Sequence, residues 1–184
     1  MKNYSGDGAD KANYIPPVKN TPQRARLVAL TGPNAGEQLV FHYNPGSWND
    51  SREVEWAEIS IPGGLDPVYQ FVAGGVREIE LELFFDEYKV GNRIPPMSVE
   101  DSIRFLQRSC EPVPVRVNQF SFKAAPPIML FLWGNIKFDG RKPGLICIIS
   151  SVKVERMFFK PVTHEAIRAT AEVTLKKFRP GVLA

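Results

Sequence analysis

Residues 76–85 read Val-Arg-Glu-Ile-Glu-Leu-Glu-Leu-Phe-Phe. Ile79, Leu81 and Leu83 alternate with Glu78, Glu80 and Glu82, a strict period of two with no helical phase. Such a segment folds stably only as a strand with one face buried and the other wet. A slip of one residue would put three carboxylates into the core. The carboxylates stand about 6–7 Å apart on one face and repel one another.

Other segments carry the same signature. Residues 26–31 and 37–43 flank the turn Gly32-Pro33-Asn34-Ala35-Gly36 and predict a hairpin. In residues 53–61, Val54 and Trp56 alternate with Glu53 and Glu55, and beyond Ala57 the apolar parity passes to Ile59 and Ile61. A change of parity within a strand predicts a bulge. If this strand pairs with 76–85, Glu53, Glu55 and Glu58 join the acidic field. Residues 62–75, with two Gly-Gly pairs, two prolines, Tyr69 and Phe71, read as a loop leading into a hairpin. Further strands are expected at 113–117, 128–138, 145–156 and 163–178, with Phe158-Phe159-Lys160-Pro161 between the last two.

One helix is expected, over 99–110. Val99, Ile103, Leu106 and Cys110 lie on one helical face, Ser98 and Asp101 form a short capping box, and Pro112 and Pro114 end it. About seven or eight strands, one helix and many Gly/Pro turns predict a mostly β chain, an antiparallel sandwich or barrel with one packed helix. The 184 residues suffice for one domain with its own core, here expected over 26–180, with a short tail at 181–184. Residues 1–25 lack Leu and Phe and read as an extended arm, anchored on this subunit or a neighbour through Tyr4, Tyr14 and Ile15. The longest uncharged stretch, residues 124–136, is short and broken by Pro126-Pro127, so no membrane span is expected, and the N-terminus has no apolar segment of a signal peptide.

Charge is unevenly placed. Residues 1–100 carry 9 Lys/Arg and 14 Asp/Glu; residues 101–184 carry 14 and 6. The split, −5 against +8, suits head-to-tail association of like subunits or a charged partner; it also suits two solvated faces.

The chemistry-bearing residues form no catalytic pattern. Phosphate-loop, dinucleotide, nucleophile-elbow and zinc-protease motifs are absent from the sequence. His42 and His164 read as exposed or simply hydrogen-bonded strand residues. Cys110 and Cys147 read as two buried thiols in a reducing compartment. Paired carboxylates can cleave glycosides, but nothing near Glu78, Glu80 and Glu82 supplies the apolar pocket that raises a pKa. No catalysis, cofactor or metal is expected. The glutamates read as a solvated sheet face or as a surface that a polyanion slides past without sticking, and Tyr69 and Phe71 as side chains buried by folding or by a neighbour. A different class of reading is a carbohydrate-binding or enzyme-accessory β-sandwich that uses Trp48, Trp56 or Trp133 as a sugar platform.

Four ordered blocks carry a resemblance. They are Phe41-His42-Tyr43-Asn44-Pro45-Gly46-Ser47; Trp56-Ala57-Glu58-Ile59-Ser60-Ile61-Pro62-Gly63-Gly64; Asp66-Pro67-Val68-Tyr69-Gln70-Phe71-Val72-Ala73-Gly74-Gly75; and Leu83-Phe84-Phe85-Asp86. In order and spacing, over roughly residues 25–180, they resemble the tube and baseplate-adaptor proteins of contractile injection systems and contractile phage tails. The resemblance implies a tail-tube-like β domain and a ring, usually hexameric, whose hairpins line a channel; on it, Glu78, Glu80 and Glu82 face that channel or a subunit interface, Tyr69 and Phe71 are subunit contacts, and residues 1–25 lie against another subunit or tail protein. It implies a tube initiator or adaptor that joins the hub and spike to the tail tube and meets other baseplate proteins. Genome or cargo would pass the channel without specific binding, and the protein would sit in a tail, baseplate or injection particle assembled in the bacterial cytoplasm. Many relatives carry a C-terminal LysM module. This sequence stops after its last strand, so peptidoglycan binding is not expected.

Overall fold

The computed structural model describes residues 24–88, 97–112, 114–117, 120–123, 125–138, 140 and 142–179. The arm with Tyr4, Tyr14 and Ile15 lies outside the described residues, as does the tail at 181–184. Ala25, assigned to the arm from sequence, is already buried in the body, with its N–H donating to Asn44 Oδ1 at 2.8 Å.

Seven strands form one antiparallel sheet. In chain order they are β1 (Arg26–Ala29), β2 (Gln38–Val40), β3 (Trp48–Ile59), β4 (Val68–Asp86), then, after the helix α1 (Val99–Arg108) and a separate two-stranded sheet of β5 (Pro114–Val117) and β6 (Phe120–Lys123), β7 (Met129–Leu132), β8 (Leu145–Phe159) and β9 (Ala166–Lys177). The spatial order is β2-β1-β7-β8-β9-β4-β3. The mostly β class with one helix is as the sequence predicts.

The β4–β9 ladder is the centre of the sheet. Ile79, Leu81 and Leu83 stand opposite Leu175, Val173 and Ala171, and all six are buried. Each of the three large β4 side chains contributes about 2 kcal/mol by leaving water. Strands β1 and β4 lie four places apart in the sheet, about 19 Å if it were flat. Yet side chains from both ends of the sheet share one core. The His42 ring, just after β2, meets the Phe85 ring of β4 edge-on at 5.3 Å. Trp48 of β3 packs against Trp133 and Phe138, just after β7, at 6.1 and 5.7 Å. The sheet therefore rolls around its own core.

Helix α1 closes the roll. Ser98 caps it: its Oγ accepts from the Asp101 N–H at 3.1 Å and donates to Asp101 Oδ2 at 2.7 Å. Val99, Ile103 and Leu106 are fully buried, and the helix lies against β9, whose Ala166, Ala169 and Ala171 are small and buried. The helix ends at Arg108, and Cys110 follows, half-buried against the core.

His42 ties the roll to the helix. The Asp86 N–H donates to His42 Nδ1 at 3.2 Å, and Nε2 lies 3.4 Å from Ser102 Oγ on α1. The sequence reading of a hydrogen-bonded histidine holds, but its place on a strand does not: β2 ends at Val40, and His42 lies beyond it, 5% exposed. Burial pushes its pKa below the usual imidazole value.

Several boundaries differ from expectation. The loop expected over 62–75 is a strand from Val68 onward, and only the turn around Pro62–Pro67 remains irregular. Gly74 and Gly75 lie at the first of two bulges: relative to β3, β4 carries an extra residue between the Arg52 and Val54 positions and another, Val72, between Glu55 and Trp56. The expected bulge exists, but the extra residues belong to β4, while β3 keeps its alternation. A Cβ on Gly75 would lie 2.4 Å from the Glu53 carbonyl oxygen, so the first bulge closes only on glycine. Strand 128–138 is cut to Met129–Leu132, because Gly134, at φ +53°, starts a turn that tucks Phe138 under Trp48. Strand β8 runs on through Phe158 and Phe159. The expected start at Thr163 falls in the β8–β9 turn, where His164 takes φ +56°. Strand β6 went unforeseen, since Phe-Ser-Phe-Lys is too short to show a period.

Two outcomes follow. Above pH 6.5 both folded and unfolded chains hold His42 neutral; below it the unfolded chain takes up a proton that the buried ring resists. Stability should therefore fall as pH drops through 6.5, and His42→Gln should flatten that slope in urea melts from pH 7.5 to 5. Gly75→Ala should loosen residues 53–76 to protease while the body still melts cooperatively. Gly74→Ala, whose Cβ would meet nothing closer than Arg52 at 3.7 Å, should not. Equal protease sensitivity of the two variants would count against the bulge assignment.

Candidate functional site: an acidic sheet face and a projecting ribbon

The alternation that buries Ile79, Leu81 and Leu83 sends Glu78, Glu80 and Glu82 to the opposite face of the sheet. Neighbouring strands fill that face with polar groups. Asn49 and Ser51 of β3 stand opposite Glu80 and Glu78; Lys176, Thr174 and Glu172 of β9 stand on the other side; Lys153 and Glu155 of β8 follow. The result is a wall four strands wide, apolar behind and polar in front.

Its charges are partly balanced within the chain. Lys176 Nζ meets Glu78 Oε1 at 2.7 Å, Lys153 Nζ meets Glu172 Oε2 at 2.9 Å, and Asn49 Nδ2 donates to Glu80 Oε2 at 3.3 Å. Lys153, Glu172, Asn49 and Glu80 are exposed and Lys176 and Glu78 half-buried, and such surface pairs contribute little to stability. Glu82 stands opposite Glu172, a like-charge pair. The charge split of the sequence falls between the two hairpins. Carboxylates outnumber cations on β3 and β4, and cations outnumber carboxylates on β8 and β9.

Beyond Glu78, β4 loses β9 as a neighbour and pairs with β3 alone. Strands β3 and β4 leave the body as a two-stranded ribbon some ten residues long, about 30 Å. Apolar side chains are exposed on both of its faces. On one, Trp56 and Phe71 pack edge to face at 5.6 Å, and Tyr69 Oη donates to Glu58 Oε1 at 3.1 Å. Alternation places Ala57 and Ile59 on the other, with Val68 opposite Ile59. Glu53 and Glu55 continue the acidic face, as expected; Glu58 does not, since it faces Tyr69. Tyr69 and Phe71 are 62% and 56% exposed in the single chain. A bare two-stranded ribbon is marginal in water, and apolar groups on both faces call for a partner.

The ribbon is anchored at its root. Arg77 forms a bidentate pair with Asp50, its Nε donating to Oδ1 at 2.7 Å, and its Nη1 donates to the Phe138 carbonyl at 2.7 Å. The guanidinium holds the Asp50 carboxyl below its usual pKa. Nothing in the spacing of the sequence reveals this pair.

The other candidates have structural settings. Ser102, His42 and Asp86 come together, but Ser102 is fully buried and its hydroxyl donates to the Ser98 carbonyl at 2.8 Å. Asp86 meets His42 through its backbone and turns its carboxylate to Arg168 at 2.9 Å. The trio joins sheet to helix. Cys147 is buried on β8 opposite Met129 of β7, with its thiol pushed up to about 12; burial also raises Cys110. Trp48 and Trp133 pack on the core, leaving Trp56 as the exposed tryptophan. Among the described residues, no three His, Cys, Asp or Glu side chains converge as a metal would need, and no helix is long and apolar enough to cross a membrane.

Comparison with known proteins agrees with this architecture. No individual protein of established function matches the chain. The contractile injection system tube protein family matches residues 22–182, the whole of the rolled sheet, helix and ribbon. The chain thus belongs to the contractile injection system tube protein family, as a structural component of a tail-type particle.

Proposed function

We propose that the chain is a tube initiator or adaptor whose copies close into a ring, hexameric as in the proteins its sequence blocks resemble. The ring joins the hub and spike to the tail tube, and the wall of β3, β4, β9 and β8 faces its channel. The observation that carries this reading is the two-sidedness of the wall. A channel lining needs a continuous polar surface held rigid from behind, and here the core and α1 stand behind the sheet. Five carboxylates, Glu78, Glu80, Glu82, Glu155 and Glu172, share the front with Lys153 and Lys176. Repeated around a ring, that surplus repels a polyanion, which passes without being held. The exposed ribbon is the second support, because it offers apolar area that a neighbour or a tail protein would cover. Hub, tube and other baseplate proteins are the expected partners, in a particle assembled in the cytoplasm. The arm, short of Ala25, is assigned to contacts with them.

The triple variant E78Q/E80Q/E82Q tests the wall. Rings in negative stain should form as in the parent, and filter binding of short DNA to them at low salt should rise at least tenfold. Loss of rings in a salt-dependent way would place the glutamates at a subunit contact instead. Purified rings should also shorten the lag of tube-protein polymerisation; no effect on the lag would remove the initiator role.

A further inference from the structure

The acidic face ends in aromatic rings. Phe84 follows Glu78, Glu80 and Glu82 on the same side of β4, where the alternation otherwise sets a carboxylate. Its ring meets the Tyr43 ring at 5.7 Å. Beside it, Asp86 Oδ2 holds Arg168 Nε at 2.9 Å, and the Arg168 guanidinium lies 5.4 Å from the Tyr88 ring and 5.5 Å from the Phe158 ring. Phe158 takes φ +53°, which a bulky side chain holds only where its surroundings enforce it. The β8–β9 turn enforces it. The Lys160 N–H donates to the Glu165 carbonyl at 2.9 Å, the His164 N–H donates to the Lys160 carbonyl at 3.0 Å, and Lys160 Nζ meets Glu87 at 3.0 Å and Glu165 at 3.1 Å. The Phe158 ring so turned out is 64% exposed, and Tyr88 is 57% exposed. This platform stands about 27 Å along β4 from Glu78, where the ribbon leaves, so platform and ribbon lie at opposite ends of the wall.

The chain enters the body beside this platform. The Ala25 N–H donates to Asn44 Oδ1 at 2.8 Å and its carbonyl accepts from the Phe41 N–H at 2.9 Å, so the preceding residues start next to Tyr43. Within residues 1–23 the most apolar run is Tyr14-Ile15-Pro16-Pro17-Val18. Paired prolines favour the polyproline II form, which loses little freedom on binding, and exposed aromatic rings are the surface that such a segment fits. The backbone from Val18 to Arg24 spans at most about 20 Å. That exceeds the two strand spacings, about 10 Å, that separate Phe84 on β4 from Phe158 on β8. Reach thus selects the chain's own platform. We propose that residues 14–18 lie as a polyproline II segment on Tyr43, Phe84, Tyr88, Arg168 and Phe158 of the same copy. The proposal rests on the arm assignment above and divides the arm. Residues 14–18 are the anchor, and residues 1–13 are aimed past the platform end of the wall at the partner on that side, while the ribbon serves the other end. A short tether sets an effective concentration on the order of 1 mM, so a contact that binds the free peptide with a Kd of about 0.1 mM keeps the anchor seated about nine-tenths of the time.

Trypsin reads the anchor, because Lys19 follows it directly. In the full parent chain, before assembly, the Lys19 bond should be cut roughly tenfold more slowly than in a synthetic peptide of residues 1–23. Phe158→Ala, at an exposed ring, and P16S/P17S, which leaves the body untouched, should each restore the peptide rate without lowering the melting temperature. Cleavage of the parent at the peptide rate overturns the anchor. Slow cleavage that both variants keep puts the arm on another surface and overturns it too. Protection that fades over a hundredfold dilution assigns the anchor to a neighbour's platform and overturns the contact within one copy. The aim of residues 1–13 is read separately from the ring. Rings of P16S/P17S should form in negative stain as in the parent but retain roughly fivefold less hub protein in a pull-down, and equal retention overturns the aim. Absence of rings from the parent chain removes the ring reading and the aim with it, while the protease rates still decide the anchor.

Discussion

The β4–β9 ladder must hide one face, and most of the molecule follows from that. Opposed pairs such as Leu81 with Val173 are worth little in water unless something lies behind them. The rest of the sheet curls round to supply part of that cover, and α1 supplies the remainder. The small side chains of β9 matter here: Ala166, Ala169 and Ala171 let the helix approach, while Phe85, Phe131 and Phe41 fill the volume to either side. Once the apolar face is fixed inward, the glutamates have only one other side to occupy.

Closing the roll leaves polar groups inside, and each is answered. His42 accepts from the Asp86 backbone and faces Ser102; Ser102 donates to Ser98; Asp86 takes Arg168. The ring of Arg168 contacts widens at the surface, where its guanidinium lies 5.4 and 5.5 Å from the Tyr88 and Phe158 rings. This polar thread ties the end of β4, the start of α1 and the β8–β9 turn into one unit. The ribbon has no such thread beyond Arg77, and it is also the part whose apolar groups remain uncovered. Rigid wall and unsupported ribbon are what a subunit shows when its own core is complete but its assembly is not.

The functional reading joins those two halves. A wall that is polar in front needs neighbours only at its edges, and a ribbon that is apolar on both faces needs them on its faces. On the proposed reading other chains rather than a small ligand meet both demands, in accord with membership of a family of tube proteins.

Much of this was legible in the chain itself. Period-two alternation in β4 and β9, the Ser98 cap and the face of Val99, Ile103 and Leu106 specify strands, helix and inward residues from local rules, because each depends on neighbours within a few positions. The placement of Glu78, Glu80 and Glu82 away from the core followed from the same rule. Other features needed the tertiary structure. Residues 68–75 look like a loop because Gly74 and Gly75 are poor strand formers; their pairing with β3, and the contact between Gly75 and Glu53, make them a bulged strand. Glu58 left the acidic field because alternation along β3 turned it to Tyr69. The pairs Arg77 with Asp50 and His42 with Asp86 join residues 27 and 44 positions apart, and no local pattern encodes them. Sequence by itself determined which residues avoid water, since that is a property of each side chain and its period. Which strands became neighbours, and so which edges stayed open, was decided only when the sheet rolled up, because that choice rests on how distant segments share one core.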